Sequence, residues 1–384
     1  MKVGIFGGTF NPPHIGHEKA AQAAFDQLGL DCLLIVPVGI PPHKSMPSKS
    51  PSAKTRLIMT QNAFCDLPDT TVSDFEAKTP TPSYTINTIR AIKKIYPDAK
   101  LFLLMGTDMF LSIESWKEHS ALLTMITPAV FSRSESDLEN ISEYSAHIKS
   151  TYDICTEIIQ NTIVQVSSSE LRNLLPKREG TGYIKDTNYS YIIRCRLYGA
   201  KPNWDWLRAQ AYSMLDKQRV PHVEACEAEA LSLAERWNVN PDDAREAAIL
   251  HDITKKLDVG EHVRILQEHG THVRSIKKNE EKLLHAKTGA FLVQELFGAS
   301  DEVEDAIRWH TTGKAGMSEL AKVLYLADYI ESTRSFPGIE QLRMLAYENI
   351  DLAMKLGLEM TVSDLTKRDI TPDKDTLDAI RYFS

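Results

Sequence analysis

Residues 7–17 read Gly-Gly-Thr-Phe-Asn-Pro-Pro-His-Ile-Gly-His and follow directly on the apolar run Lys2–Phe6. The run has the length of a β-strand, and the pattern after it predicts a helix that begins near His17. Glycines let the main chain approach a ligand, and a helix start offers unpaired N–H groups at the positive end of its dipole. The turn can therefore hold a phosphate group. No Gly-Lys-Ser/Thr follows, so it is not a P-loop, and a glycine pair after a strand can also be a plain turn.

Two histidines, His14 and His17, lie beside this turn. Their ring N–H groups could donate hydrogen bonds to phosphate oxygens while negative charge builds up during group transfer. Either histidine alone would be interpreted as a helix cap or a solvent-facing residue. The hypothesis of a phosphate site therefore rests on the glycines and the pair together.

The first 200 residues alternate short apolar runs with amphipathic stretches. After the opening run come Glu18–Leu28, Leu33–Val38, Ala53–Cys65, Thr85–Tyr96 and Leu101–Gly106. This alternation is typical of α/β proteins and predicts a doubly wound parallel sheet wrapped by helices. Within residues 85–96, isoleucines recur at steps of three and predict a buried helical stripe made of Ile86, Ile89, Ile92 and Ile95.

The pattern changes in the second part of the chain. From about Trp204 onward the strands stop, and helical stripes separated by Gly, Pro and Asn follow, which predicts an all-α bundle. The segment Gly199–Asn203 is the expected boundary. We therefore expect two domains, at residues 1–199 and 204–384.

The net charge of −8 comes from one part of the chain. Residues 1–200 carry 20 Lys and Arg against 20 Asp and Glu, whereas residues 201–384 carry 24 against 32. Polymeric nucleic acid normally binds a basic surface, so we expect a small anionic ligand and no DNA or RNA partner.

Apolar runs are too short for a signal peptide or a membrane span, which predicts a cytoplasmic protein that does not enter membranes. The cysteines form no Cys-x-x-Cys pair and stand at Cys32, Cys65, Cys155, Cys195 and Cys226. We expect packed, reduced thiols, with neither disulfides nor a thiolate zinc site.

Several ionisable residues of the second part continue apolar helical stripes at steps of three and four: His222, His251, His285, His310 and Asp328. Their positions predict side chains that point into the bundle. Any one of them alone would be interpreted as a hydrogen-bonded core residue. Together they predict a shared metal centre, because buried ionisable groups are costly unless they are paired or bind metal. The histidines of the polar stretch, His262, His269 and His272, are expected to face solvent outside this site.

The run from Gly7 to His17 resembles the GxFxPxHxGH motif of the HxGH nucleotidyltransferases. Later segments resemble, in order, those of the nicotinate-mononucleotide adenylyltransferases: Pro41–Lys44, Ser83–Ile86, Gly106–Asp108, Trp116, Arg133, Val166–Arg172 and Tyr191–Gly199. The resemblance covers nearly the whole first half. It departs from the family at Ser169, where Thr is usual, and in the short stretch around Gly180–Gly182.

This resemblance implies adenylyl transfer from ATP, accompanied by Mg²⁺, to nicotinate mononucleotide. It implies catalytic roles for His14, His17, Lys44 and Arg172. The implied ATP-binding residues are Gly7, Gly8, Thr9, Phe10, His14, His17, Gly106, Asp108, Ser167, Ser168, Ser169 and Arg172. The implied mononucleotide-binding residues are Asn11, Lys44, Tyr84, Thr85, Trp116 and Arg133. Without the surrounding motifs, Trp116 would be interpreted as a half-buried core aromatic.

The spacing of the second part, with His251-Asp252 at its centre, resembles the HD-domain superfamily. Segments at Leu283–Ala286, His310–Gly313 and Ala327–Glu331 are similar to those of the YqeK-type HD hydrolases, which cleave diadenosine tetraphosphate to two ADP. The resemblance implies that His222, His251, Asp252 and Asp328 hold one metal ion and that Asp252 bridges to a second ion held by His285 and His310. Such nitrogen and carboxylate ligands suit iron, manganese or zinc, and we expect two iron ions. Lys255, one turn after the His-Asp pair, is expected to be a catalytic phosphate contact, although it could be a solvated helix residue.

Other functions of the helical part stay open at this point. It could bind nucleotide and regulate the first domain without turnover, hydrolyse another nucleotide phosphate, or use a di-iron centre for oxygenase chemistry. The expected partners are ATP, nicotinate mononucleotide and diadenosine tetraphosphate or a related nucleotide, and a homo-oligomer stays open.

Overall fold

The structure is a computed structural model and describes residues 1–42, 45–132, 137–160, 164, 166–271 and 281–384. The chain forms two compact units, Met1–Lys201 and Pro202–Ser384. Each unit has hydrophobic clusters of its own.

Unit 1 is built on a six-stranded sheet in the order β3-β2-β1-β4-β5-β6, with every neighbouring pair parallel. The strands are β1 (Lys2–Gly8), β2 (Cys32–Pro37), β3 (Thr70–Val72), β4 (Lys100–Gly106), β5 (Thr127–Phe131) and β6 (Glu157–Ile159). The helices are α1 (Ile15–Leu28), α2 (Ala53–Phe64), α3 (Thr85–Ile95), α4 (Thr107–Leu111), α5 (His119–Leu123), α6 (Asp137–Tyr152), α7 (Ser168–Leu174) and α8 (Asp186–Arg194). The prediction of a doubly wound parallel sheet is confirmed.

The two central strands are apolar along most of their length because both faces of the sheet are covered. Val3 and Ile5 of β1 and Leu101 and Leu103 of β4 are at most 4% exposed. The order of the strands reverses between β1 and β4, and in open α/β sheets ligands bind beyond the carboxyl ends of the strands at such a switch point. Gly7 and Gly8, which were expected in a turn after the strand, are the last two residues of β1. Together with the loop that continues to His14 they form the glycine turn, which lies where the fold favours a ligand site.

The predicted isoleucine stripe of α3 is wrong at its last member. Ile86, Ile89 and Ile92 are buried, whereas Ile95 is 69% exposed. A step of three residues turns a helix by about 300°, so three steps accumulate a half turn and carry the fourth isoleucine to the opposite face.

The expectation of packed cysteines is also wrong for three of the five thiols. All five are unpaired, but only Cys226 is buried, and Cys65, Cys155 and Cys195 are exposed. Cys65 and Cys195 stand at the carboxyl caps of α2 and α8, where the chain leaves a packed helix for the surface. Among the described residues, no helix is both long enough and apolar enough to cross a membrane.

Unit 2 is all-helical in its described parts, as predicted. Its helices are α9 (Trp204–Ser213), α10 (Val220–Arg236), α11 (Pro241–Leu250), α12 (Val259–Glu268), α13 (Leu284–Phe297), α14 (Asp301–Trp309), α15 (Glu319–Ile330), α16 (Ile339–Glu348), α17 (Ile350–Lys367) and α18 (Lys374–Tyr382). Five of the six predicted metal ligands come from helix ends, and the sixth, Asp252, directly follows His251 in the turn after α11. His222 and His285 lie in the first turns of α10 and α13, His251 and His310 cap α11 and α14, and Asp328 lies in the last turn of α15.

Candidate functional sites

A cavity of about 570 Å³ lies at the carboxyl edge of the sheet in unit 1. Its walls bring together residues that the sequence places far apart: Gly7, Gly8, Thr9, His17, Tyr84, Thr85, Gly106 and Trp116. The glycine turn and the segments predicted to bind the mononucleotide therefore share one cavity. Two adjoining substrates in a single cavity are what a transfer between them requires.

The glycine turn keeps its shape because Phe10 packs against it. A Cβ atom on Gly8 would lie 2.9 Å from the ring of Phe10, so a larger residue at position 8 would force this ring to shift. Phe10 is 1% exposed and packs edge-on against Phe6 and Phe64. The ring of Phe10, predicted to bind ATP, thus belongs to the hydrophobic core, and only its main chain can serve a ligand.

The two histidines form a capping box at the start of α1. His14 Nδ1 accepts a hydrogen bond from Gly16 N at 3.2 Å, and His17 Nδ1 accepts one from His14 N at 3.2 Å. An Nδ1 that accepts is unprotonated, so the neutral rings carry their protons on Nε2. The start of α1 therefore makes both rings Nε2–H donors, which suits recognition of phosphate oxygens.

A second predicted phosphate segment, Ser167–Arg172, is tied to the first. Ser167 forms a capping box with Glu170 at the start of α7, and Ser168 Oγ donates to Pro12 O at 2.8 Å. Arg172 donates to Asn11 O at 2.6 Å and to Ser169 Oγ at 2.9 Å. The segment thus holds the far side of the turn 7–17 in place.

Several predicted binding residues lie outside the described cavity walls, namely Phe10, Asn11, His14, Asp108, Ser167, Ser168, Ser169 and Arg172. Asn11 is 3% exposed, donates to Ser50 Oγ and accepts from Tyr198 Oη, each at 2.9 Å. Both ends of its amide are therefore engaged within the protein. Lys44 and Arg133 lie outside the described residues.

The other end of the cavity is formed by the start of α3 and by Trp116. Thr85 is the first residue of α3, and Trp116 caps the short 3-10 turn Ile113–Ser115. Lys117, which we did not predict, lines the cavity and places its Nζ 4.4 Å from the centre of the Tyr84 ring. Its position next to Trp116 was the only sequence signal for it.

Glu76 is a second wall residue that we did not predict. It is 6% exposed and accepts a hydrogen bond from Thr88 Oγ1 at 2.5 Å. Burial raises the pKa of its carboxyl group, and the hydroxyls of Thr88 and Ser83 partly oppose this rise. It lies in a loop without periodicity, so no sequence pattern identified it.

In unit 2, the predicted metal ligands converge. Two sets of three ligand atoms each lie within 4.8 Å of one another: His222, His251 and Asp328, and His251, Asp252 and His310. His285 joins the second set, since its Nε2 lies 3.1 Å from Asp252 Oδ1 and 3.1 Å from His310 Nε2. The structure therefore brings together all six residues that were predicted as ligands.

Each histidine of this cluster has its Nδ1 bonded to an acceptor. The carbonyl oxygens of Ala248, Lys282 and Ile307 lie 2.7–2.8 Å from the Nδ1 atoms of His251, His285 and His310. His222 Nδ1 lies 3.0 Å from Glu331 Oε1. These acceptors place the ring protons on Nδ1 and direct the Nε2 lone pairs inward, the arrangement that metal-bound histidines show.

The donor set fits a pair of divalent transition metals. The Nε2 atoms of His222 and His251 lie 3.4 Å apart and face each other, as two nitrogen ligands of one metal ion do. Burial, followed by the neighbouring His310 and Lys255, lowers the pKa of His285 to about 4. Against the effect of burial, the neighbouring histidines hold the pKa of Asp252 and of Asp328 well below the usual range. His251 is the exception: burial lowers its pKa, but Asp252, Asp328 and the carbonyl of Ala248 together outweigh this effect and raise it. The pKa shifts of His285, Asp252 and Asp328 thus favour the unprotonated forms that metal binding requires.

Three cationic side chains border the cluster. Arg219 Nε donates to Asp252 Oδ2 at 2.6 Å, Lys255 Nζ lies 3.0 Å from His285 Nε2, and Arg334 donates to Asp328 Oδ1 at 2.8 Å. Lys255 was predicted to lie at the site, and Arg219 was not. Arg219 precedes His222 by three residues in the sequence, and this spacing could have indicated that it lies near the cluster.

The expectation that His262 faces solvent is wrong. The residue is 4% exposed, and its Nδ1 lies 2.8 Å from Thr288 Oγ1. Thr288 donates to Thr254, which donates to the main-chain oxygen of His285. Position 262 lies on the buried face of the amphipathic helix α12, together with Ile265 and Leu266, and the polar residues around it hid that face. His269 is exposed as expected and stacks on Phe291. His272 lies outside the described residues.

Family models match the two units separately. The model described as cytidylyltransferase-like matches residues 5–174, and the HD-domain model matches residues 219–333. A protein of Clostridium acetobutylicum described as a predicted HD superfamily hydrolase involved in NAD metabolism has a similar solved structure. The likeness has a TM-score of 0.45 and 28% identity and covers 48% of this chain and 98% of that one.

Relatives with similar sequences match the first part of the chain. A probable nicotinate-nucleotide adenylyltransferase of Geotalea daltonii is 32% identical over 213 residues, which cover 52% of this chain and 98% of the relative. A protein of the same name from Shewanella baltica is 32% identical over 216 residues, covering 52% of this chain and 99% of the relative. The chain therefore belongs to the nicotinate-nucleotide adenylyltransferase family and carries an HD domain after the part that defines this family.

Proposed function

We propose that unit 1 transfers the adenylyl group of ATP to nicotinate mononucleotide, which yields the deamido dinucleotide and pyrophosphate. The observation that carries this proposal is the single cavity shared by the glycine turn, His17, Thr85 and Trp116. The names of the relatives point in the same direction. The proposed domain boundaries are residues 1–199 for this activity and 204–384 for the second.

The reaction needs no covalent enzyme intermediate. A phosphate oxygen of the mononucleotide attacks the α-phosphorus of ATP, and the bond to pyrophosphate breaks as the new bond forms. The Nε2–H groups of His14 and His17 would donate to oxygens that gain charge, and Lys44 and Arg172 would neutralise the phosphates. Gly7, Gly8 and the main chain of Thr9 and Phe10 would let ATP approach closely, with Gly106, Asp108 and Ser167–Ser169 completing its site. Mg²⁺ would accompany ATP as it does in other phosphoryl and nucleotidyl transfers.

The mononucleotide would lie at the other end of the cavity. Main-chain N–H groups at the start of α3, near Tyr84 and Thr85, would donate hydrogen bonds to the carboxylate of the pyridine, and Trp116 would stack on its ring. Asn11 would act through the main chain of the turn, because its amide is already engaged. Arg133 is proposed as a further contact from the resemblance alone.

For unit 2 we propose hydrolysis of diadenosine tetraphosphate to two ADP. His222, His251, Asp252 and Asp328 would hold one metal ion, and Asp252, His285 and His310 a second. A bound pair of iron ions would supply an activated hydroxide and neutralise phosphate charge. Lys255, beside His285, would contact a phosphate of the substrate. The three cations that border the cluster favour an anionic substrate over an oxygenase role.

Both proposals are tested on the full chain. Formation of the deamido dinucleotide from ATP and nicotinate mononucleotide, and release of ADP from diadenosine tetraphosphate, are followed by chromatography together with metal analysis. Failure to form dinucleotide overturns the first proposal. A metal-loaded protein that binds diadenosine tetraphosphate without cleaving it favours a regulatory module, and one that cleaves only other nucleotide phosphates replaces the proposed substrate.

A further inference from the structure

A single arginine connects the two main-chain segments that frame the cavity of unit 1. Arg56 of α2 is 2% exposed, and its guanidinium donates to Thr9 O at 2.8 Å, Val38 O at 2.6 Å and Gly39 O at 2.8 Å. Thr9 belongs to the glycine turn, and the other two residues follow the carboxyl end of β2. The three carbonyls thus come from two segments that meet at the switch-point edge of the sheet.

The segment after β2 is held from its other side as well. A Cβ atom on Gly39 would lie 2.1 Å from Glu76 O, so only glycine fits between Arg56 and Glu76. Gly39 N donates to Ser83 Oγ at 3.2 Å, two residues before α3 begins. Hydrogen bonds therefore run from the glycine turn through Arg56 and Gly39 to the start of α3, which frames the opposite end of the cavity.

The charge of Arg56 is unusual for its depth. All three of its hydrogen-bond partners are neutral carbonyls, its Nε atom has no partner, and in the described parts of the chain no carboxylate pairs with it. Burial lowers the pKa of Arg56, yet a guanidinium stays protonated in proteins. A buried charge without a counter-ion is costly unless another group compensates it. The wall of the adjoining cavity includes Thr9 and Val38, so an anionic ligand bound there would supply that compensation.

We infer that Arg56 is a positioning residue for the adenylyl transfer proposed for unit 1. Its planar guanidinium sets the spacing between the glycine turn and the segment after β2, and its buried charge strengthens binding of a nucleoside triphosphate. The expected change in turnover rests on the function proposed for unit 1, whereas the expected change in ATP affinity does not. Lysine cannot replace the geometry, because one ammonium does not reach three carbonyls on two segments in the way that a planar fork does.

The test separates charge from geometry with two variants in the full chain. Arg56→Met removes the charge and keeps an apolar side chain of similar length, whereas Arg56→Lys keeps the charge and loses the fork. The control Lys54→Met removes one positive charge from the exposed face of the same helix. Dissociation constants of metal-free ATP are measured by calorimetry in EDTA, which also keeps metal from unit 2. Turnover is measured with Mg²⁺, with KM and kcat determined separately.

For Arg56→Met we expect ATP to bind at least about tenfold more weakly, which corresponds to about 1.4 kcal/mol. For Arg56→Lys we expect the dissociation constant to stay within about threefold while kcat falls at least about tenfold, since small misplacements of reacting groups are costly. Lys54→Met should leave both quantities unchanged.

Wild-type affinity for ATP in folded Arg56→Met overturns the role of the charge, and wild-type kcat in Arg56→Lys overturns the role of the fork. Arg56 has a purely structural role if both variants melt at a lower temperature and contain a smaller fraction of active protein, while KM and the dissociation constant of ATP stay unchanged. If wild type binds ATP but makes no dinucleotide, the proposed function fails while the binding measurements still decide the role of the charge. Should Arg56→Met not fold, Arg56→Lys alone decides whether the fork acts in turnover.

Discussion

The histidines of unit 1 present a hydrogen-bond donor at Nε2, whereas those of unit 2 present a lone pair at the same atom. In unit 1, Nδ1 of His14 and of His17 accepts a main-chain N–H, so each ring offers Nε2–H. In unit 2, Nδ1 of His251 and of His310 donates to a main-chain carbonyl, so each ring offers an Nε2 lone pair. A donor suits an anion and a lone pair suits a cation. The comparison teaches that the partner of Nδ1, supplied by the local backbone, decides which kind of ligand a histidine can recognise.

The largest expected effect concerns the histidine cluster of unit 2, whose Nε2 lone pairs suit a cation. Asp252→Ala should lower hydrolysis of diadenosine tetraphosphate at least about a thousandfold and remove most bound metal, because it deletes the ligand shared by both proposed ions. Adenylyl transfer should stay near the wild-type rate, since each unit has its own hydrophobic core. Metal content by mass spectrometry and both activities check this, with the exposed Asp364→Ala as control. Loss of adenylyl transfer would show that the units do not act independently.

A substitution of His17 tests the histidines of unit 1, whose Nε2–H groups suit an anion. His17→Ala should slow adenylyl transfer by about 3–4 kcal/mol of transition-state stabilisation, or roughly two to three powers of ten in rate, without changing metal content. His17→Gln retains an N–H donor and should recover part of the rate. His310→Gln, which replaces an Nε2 lone pair, should lose metal instead of being tolerated. Equal rates for His17→Ala and wild type would remove this residue from the site.

A further test uses His262, a histidine that is not among the residues proposed to bind phosphate or metal. His262 reaches the main chain of His285 through Thr288 and Thr254, so His262→Ala should weaken metal binding about tenfold by loosening that ligand. The exposed His269→Ala is the matched control. Metal affinity is measured by competition with a chromophoric chelator, and adenylyl transfer should not change in either variant. If the two variants bind metal equally well, the network has no role in positioning His285.

The smallest effect concerns the choice of mononucleotide. Nicotinate mononucleotide should react at least about tenfold faster than its amide when both compete in one reaction, because N–H groups near Thr85 can receive a carboxylate but not a second N–H donor. The ratio of the two dinucleotide products gives the preference directly. Equal product amounts would mean that the end of the cavity near Trp116 does not read the charge of the substrate.

Most residues of both candidate sites could be predicted from the sequence, because they belong to local patterns. Glycines, two histidines and a helix start lie within residues 7–17, and the ligands of unit 2 continue apolar stripes that a helical repeat makes visible. The same repeat misled at Ile95, where steps of three drift around the helix. It also failed at His262, where the single buried histidine of a polar stretch carried no pattern of its own.

By itself, the sequence determined the class of each unit, the alternation of strands and helices, and the residues that we propose to bind phosphate or metal. Only the tertiary structure decided which atoms these residues offer. It set the Nδ1 partners of the histidines and withdrew Phe10 and the amide of Asn11 into the protein. It also brought Glu76 to the cavity wall and Arg56 to the main-chain carbonyls of Thr9, Val38 and Gly39. The physical reason is that periodicity and propensity act over a few residues, whereas hydrogen bonds such as that from Arg56 to Thr9 join positions 47 residues apart and exist only in the folded chain.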